Sequence, residues 1–166
     1  MEYKEYLNAA RKHLTTCEVI KNSIEELDSK SADSGTSKQL LLNLYYLTGY
    51  VFECSIKYGI YKVINYERGK PVQQLDTAAL SYKSHIKFHR FTKYQDHLIS
   101  KSPGIKLIDD RSQVPRDIIL LYKSWDAEVR YWYSACNSDV EGRLTKTNLF
   151  KLLDYAICAF KHISRL

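Results

Sequence analysis

Between Lys38 and Tyr66 the chain places apolar residues on almost every side of a helix: Leu40, Leu41, Leu42, Leu44, Leu47, Val51, Phe52, Ile56, Ile60, Val63 and Ile64. A helix apolar all round must be covered all round, so this segment belongs at the centre of a fold whose other elements pack against it. Gly49, Glu53 and Lys57 interrupt it at four-residue steps and share one line along it. Gly49 would let a neighbouring helix approach closely. Glu53 is then a buried carboxylate, and a buried carboxylate needs a partner.

The flanking segments carry the same helical period. Tyr3, Tyr6, Leu7, Ala10, Leu14, Cys17, Ile20, Ile24 and Leu27 predict one amphipathic helix of about 25 residues. A Ser-rich loop follows over 28–37, with Ser37 placed to cap the central helix. Gly69 and Pro71 mark a loop over 67–81. A third helix is expected from Tyr82 or Phe88 to Ser100, ended by Ser102-Pro103-Gly104. Pro115 suits the first turn of a fourth helix, whose stripe is Ile118, Tyr122, Trp125, Val129 and Trp132. Thr145 or Thr147 starts a fifth, with Leu149, Leu152, Leu153, Ala156, Ile157, Phe160 and Ile163 inward. No stretch alternates with a period of two, so strands are not expected. The expectation is an all-α, five-helix bundle with a long central second helix. At 166 residues it makes a single domain, 1–166, long enough to bury a core without disulfide or metal.

The formal charge is +6, and most of it lies in one place. Residues 81–106 hold Lys83, Lys87, Arg90, Lys93, Lys101 and Lys106 against Asp96 alone, together with His85, His89 and His97. On an unbroken helix Lys83, Lys87, Arg90, Tyr94, His97 and Lys101 form one narrow stripe. Cations in a line can follow a phosphate backbone, and aromatics beside them can stack bases. The alternative is a solvated basic face over buried phenylalanines. Arg90 and His97 also fit R-x6-H, a pairing that can cleave RNA by proton transfer beside a phosphate clamp. His85 and His89 are spaced for a metal on a helix, but no acid or cysteine nearby completes a site, so neither metal nor cofactor is expected. His13 and His162 read as surface or cap residues. Asp126 and Arg130 are spaced as an ion pair, and Arg130, at the edge of the fourth helix's core stripe, is the expected partner of Glu53.

Cys17, Cys54, Cys136 and Cys158 are far apart in sequence and form no CxxC motif, as expected of a reducing, cytoplasmic setting. The N-terminal Met1-Glu2-Tyr3-Lys4-Glu5 lacks an apolar signal core. Asn43, Glu53, Lys57 and Lys62 break the apolar run 40–64, so no membrane span is expected. Gly-rich phosphate loops, GxSxG and HExxH are absent.

Three stretches resemble the HEPN domains of prokaryotes. Leu47-Thr-Gly49-Tyr50-Val-Phe-Glu53-Cys54-Ser-Ile-Lys57 is similar to the family's central-helix signature Gly-Tyr-x-x-Glu-Cys-x-x-Lys. His97-Leu98-Ile99 is similar to its His-Leu element, and Ser124-Trp125-Asp-Ala-Glu128-Val-Arg130-Tyr131 to its Trp-x-x-Glu-x-Arg-Tyr stretch. The resemblance spans nearly the whole chain. It implies an all-α fold, frequent homodimers, and RNA cleavage in toxin–antitoxin or phage-defence systems. Active members carry Arg-x4-6-His; the matching arginine is Arg130, and Asn137 stands where the histidine is expected. Two readings follow. One is a metal-independent endoribonuclease with His97 as acid or base, Arg130 stabilising the phosphate and Glu53 positioning Arg130. RNA contacts would come from Lys83, Lys87, Arg90, Lys93, Tyr94 and Lys101. The other is a non-catalytic module that binds RNA or a partner protein.

Overall fold

A computed structural model of the chain describes residues 1–29, 34–108, 113–133 and 138–166. It is an all-α bundle. Its α-helices are α1 (Lys4–Ser29), α2 (Ser34–Val63), α3 (Gln95–Lys101), α4 (Arg116–Ser124), α5 (Ser138–Glu141) and α6 (Lys146–Ile163). No strand occurs among the described residues; Asp76 and Ser81 form one isolated bridge. No described helix is long and apolar enough to cross a membrane.

The 30 residues of α2 make a rod about 45 Å long, and its middle is closed to solvent from Val51 to Tyr61. α1 lies antiparallel along one side, with Cys17 Sγ 3.8 Å from Thr48 Oγ1. α6 covers another side. α3 and the turn Ala127–Tyr131 close the remainder. Thr145 caps α6 as expected, its Oγ1 accepting from Asn148 N. α2 begins earlier than the sequence suggests, so Ser37 lies inside the helix rather than at its cap. Residues 30–33 of the expected loop, Cys136 and Asn137 lie outside the described residues.

Two expected helices are broken. Over 82–101 the chain makes a π turn (Tyr82–Ile86), a 3-10 turn (Phe91–Lys93) and then α3. Ile86 and Phe91 are both buried, yet they stand five residues apart, which on a straight helix points them about 140° away from each other. Breaking the helix buries both. The fourth element ends at Ser124; Trp125 and Asp126 are extended, and Asp126 caps a new 3-10 turn by accepting from Glu128 N at 3.2 Å. Ile118, Tyr122, Trp125 and Val129 are still buried and Trp132 is half-buried against the core, so the periodicity names the packed residues and misses where the helix ends.

Four of the 14 tyrosines tie helix ends and irregular links to the core. Irregular segments inside a small fold leave carbonyls without helical donors. Tyr45 donates to the Leu121 carbonyl at 2.7 Å, Tyr61 to Val72 at 2.8 Å, Tyr66 to Pro71 at 2.8 Å and Tyr94 to Phe88 at 3.3 Å. The rings of Tyr45, Tyr61 and Tyr94 fill the core and that of Tyr66 packs against it, while each hydroxyl satisfies a carbonyl near a helix end or in a link.

Gly49 works differently from expectation: it makes room for a side chain, not a helix. A Cβ there would lie 2.0 Å from the Trp125 indole, whose Nε1 donates to the Tyr46 carbonyl at 3.2 Å. Gly49→Ala must therefore displace Trp125, and urea unfolding is expected to register a loss of about 1–3 kcal/mol. An unchanged midpoint would show that the indole is not seated on α2.

Candidate active site

Glu53 lies on the buried middle of α2 at 3 % exposure, and Lys57, one turn on, at 4 %. Lys57 Nζ donates to Glu53 Oε1 at 2.6 Å. The ammonium sits 5.6 Å from the Tyr6 ring centre and 5.8 Å from that of Tyr94, so two π faces and one carboxylate replace its water. The partner expected for Glu53 was Arg130; the structure corrects this. Arg130 is exposed and lies over the Tyr131 ring at 4.6 Å. The break after Ser124 swings Arg130 away from the line it would hold on a continuous helix. Glu53 therefore does not position it.

The second partner of Glu53 is His89. Its Nδ1 is 3.2 Å from both carboxylate oxygens, so Nδ1–H donates into the fork and the opposite ring nitrogen, Nε2, is turned away from the carboxylate. Half of the side chain is exposed, at 50 %. The hydrogen bond to Glu53 raises the His89 pKa above the ordinary imidazole value, against partial burial, with further help from the Glu53 charge. Arg90 Nε donates to Asp126 Oδ2 at 3.0 Å. Asp126 thus pairs with Arg90 instead of Arg130, and it ties the loop carrying His89 to the turn carrying Arg130.

His13 of α1 is half-buried, with its ring centre 5.3 Å from that of Tyr50. His89 approaches Tyr50 at 6.0 Å. Burial first, and then the Lys12 charge, lower the His13 pKa, with Glu53 opposing. Two imidazoles with pKa values pushed in opposite directions thus flank one tyrosine, the arrangement that separates a general base from a general acid. Arg130 is in electrostatic range of the same tyrosine. Its pKa is raised chiefly by the Tyr131 phenol, with smaller contributions from Tyr50 and Tyr46.

The other expected site residues are dispersed. The narrow basic stripe does not exist, because Lys83, Lys87, Arg90, Lys93 and Lys101 fall on three different turns and the links between them. The four lysines are exposed. Tyr94 is fully buried under Lys57 and has no face open to a base. His97 is half-buried and packs edge-on against His85 at 5.4 Å, so neither the Arg90/His97 pair nor the His85/His89 pair forms. Leu98, beside His97, packs against Gly59, while Trp125 seats on Gly49. Those levels of α2 are about 15 Å apart, so the segments that carry His97 and Arg130 meet α2 at different heights. Among the described residues no group of three or more His, Cys, Asp or Glu is placed to hold a metal ion. Burial pushes the thiols of Cys17 and Cys54 up to about 12, so neither is a nucleophile near neutrality.

Neither His13 nor His89 is legible in the sequence as a member of this site. His13 stands 37 positions before Tyr50 and His89 stands 36 after Glu53, and no spacing rule links them. The signal that was legible was the four-residue step from Glu53 to Lys57. Compared with known proteins, the chain matches no protein-family model, no curated protein and no solved structure.

Proposed function

We propose that this protein acts on RNA as an HEPN-like, metal-independent endoribonuclease whose proton carriers are His13 and His89. The observation that supports it is the Glu53–His89 pair: a buried carboxylate that holds an exposed imidazole in one tautomer with Nε2 free. In the reaction, neutral His13 accepts the proton of a ribose 2′-hydroxyl as that oxygen attacks phosphorus. His89, as imidazolium held by Glu53, gives its Nε2 proton to the departing 5′-oxygen. The O2′–P bond forms and the P–O5′ bond breaks, leaving a 2′,3′-cyclic phosphate and a 5′-hydroxyl. One proton is taken and one is given. Arg130 neutralises charge on the non-bridging oxygens. This set of residues is complete in one protomer, so the reading does not require the dimer that the resemblance implies. The same resemblance places such an activity in toxin–antitoxin or phage-defence systems.

A second reading, an RNA- or partner-binding module without chemistry, draws on Tyr131 and Tyr133, exposed at 73 % and 72 %. Incubation with single-stranded RNA in EDTA separates the two. The enzyme reading expects fragments ending in 2′,3′-cyclic phosphate, absent with His89→Gln. Intact RNA that is retained and released by salt supports the binder and contradicts the enzyme.

A further inference from the structure

The line that carries Glu53 and Lys57 continues toward the start of α2. Gln39, Asn43, Tyr46, Tyr50, Glu53 and Lys57 follow one another at steps of four, three, four, three and four, and so share one face. At its far end Gln39, Asn43 and Tyr46 face the segment Val129–Tyr133 across a pocket of about 180 Å³. Arg130, Tyr131 and Tyr133 close its other side.

We propose that this pocket takes a single nucleobase of an unpaired RNA strand and prefers adenine. Three features carry the assignment. First, the Tyr131 ring is backed on one face by the Arg130 guanidinium at 4.6 Å, and an exposed aromatic held in this way is a surface on which a base stacks, leaving the guanidinium to a phosphate. Second, Tyr131 and Tyr133 hold their rings in water at 73 % and 72 % exposure, while most tyrosines of this chain spend theirs in the core. Third, the polar groups facing this platform from α2 are two carboxamides one turn apart. Carboxamides pair bidentately with adenine, donating to one edge nitrogen and accepting from the exocyclic amine. Adenine offers that pattern on two edges, N7 with N6 and N1 with N6, cytosine on one, N3 with N4, and uracil, which has no exocyclic amine, on none.

The pocket also has a direction. Tyr46 touches Tyr50 at 4.9 Å, and Tyr50 touches His89 at 6.0 Å. From Tyr46 to Glu53 is two turns of α2, about 10 Å, a short step along an unstacked strand. A base held between Tyr131 and Asn43 therefore delivers a neighbouring phosphodiester to the two imidazoles. The pocket sets where the strand is cut, and this part of the inference rests on the endoribonuclease reading.

The test is fluorescence anisotropy with 5′-labelled penta-adenylate, penta-uridylate and penta-cytidylate. Penta-adenylate is expected to bind at least about fivefold more tightly than the other two, the lower end of what a bidentate amide–adenine pair provides. Asn43→Ala removes that preference. Tyr131→Ala weakens all three oligomers by roughly five- to a hundredfold, as loss of a stacking platform does. Asn43 and Tyr131 are both exposed, so circular dichroism of each variant should match the parent. Equal affinity for the three oligomers, a preference that survives both Asn43→Ala and Gln39→Ala, or no binding at all overturns the pocket. Binding without preference, together with His89-dependent cleavage, overturns the pocket and leaves the enzyme standing. An adenine preference without EDTA-resistant cleavage does the reverse.

Discussion

Replacing Glu53 with alanine is expected to cost the fold about 3–5 kcal/mol, the penalty for leaving one member of a buried ion pair without the other. The stranded group is Lys57. Its side chain is 5 % exposed and its ammonium is 2.6 Å from the carboxylate, so water does not replace the lost partner. The rings of Tyr6 and Tyr94 soften the loss without cancelling it, since a cation–π contact contributes about 2 kcal/mol when desolvated. Lys57→Met in the Glu53→Ala background should recover much of the stability, because the double variant holds no unpaired buried charge. The readout is the urea midpoint at constant slope. A loss under about 1 kcal/mol, in the range of exposed pairs, would mean that the carboxylate is hydrated.

The same carboxylate makes stability depend on pH. His89 binds its proton more tightly in the folded chain than in the unfolded one. Its contribution is therefore full below the ordinary imidazole value of about 6.5 and is lost as pH rises through the raised folded value. His13 has the opposite sign: its folded pKa is lowered, so its contribution is full above about 6.5 and is lost as pH falls through the lowered folded value.

His89→Gln is expected to lower kcat for RNA cleavage by about 10²–10⁴-fold, the usual worth of a positioned proton carrier. Glutamine keeps a donor toward Glu53, and the site is half open, so the fold should survive. The pH profile carries more information than the rate. Cleavage needs His13 without its proton and His89 with it. Activity should rise with pH through the lowered His13 value, fall through the raised His89 value and hold a plateau across the usual imidazole range. Residual activity in His89→Gln should lose the alkaline limb, and in His13→Gln the acid limb. A wild-type alkaline limb that survives His89→Gln would assign the acid to another group.

The bundle was legible because burial follows helical period regardless of how the backbone gets there. Of the stripe Ile118, Tyr122, Trp125, Val129 and Trp132, the first four are buried and Trp132 is half-buried, although the helix stops at Ser124. Glu53 was legible as a buried acid because nothing else charged but Lys57 shares its stretch of α2. Its partners were not. The sequence pointed to Arg130 on the assumption that residues 115–133 form one helix, and Asp126 ends that assumption by capping a new turn. His89 reaches Glu53 because the chain breaks between Ile86 and Phe91, a break that follows from two buried residues set five apart. Such tertiary demands leave no local signature. The basic stripe failed for the same reason: it existed only on a helix that the core does not permit.

The most direct measurement is the NMR titration of the imidazole Cε1–H signals of His89 and His13, each assigned by its His→Gln variant. His89 is expected to titrate above the ordinary value of about 6.5 and His13 below it. Coincident midpoints, or the reverse order, would contradict the claim that Glu53 holds the His89 proton while burial denies one to His13.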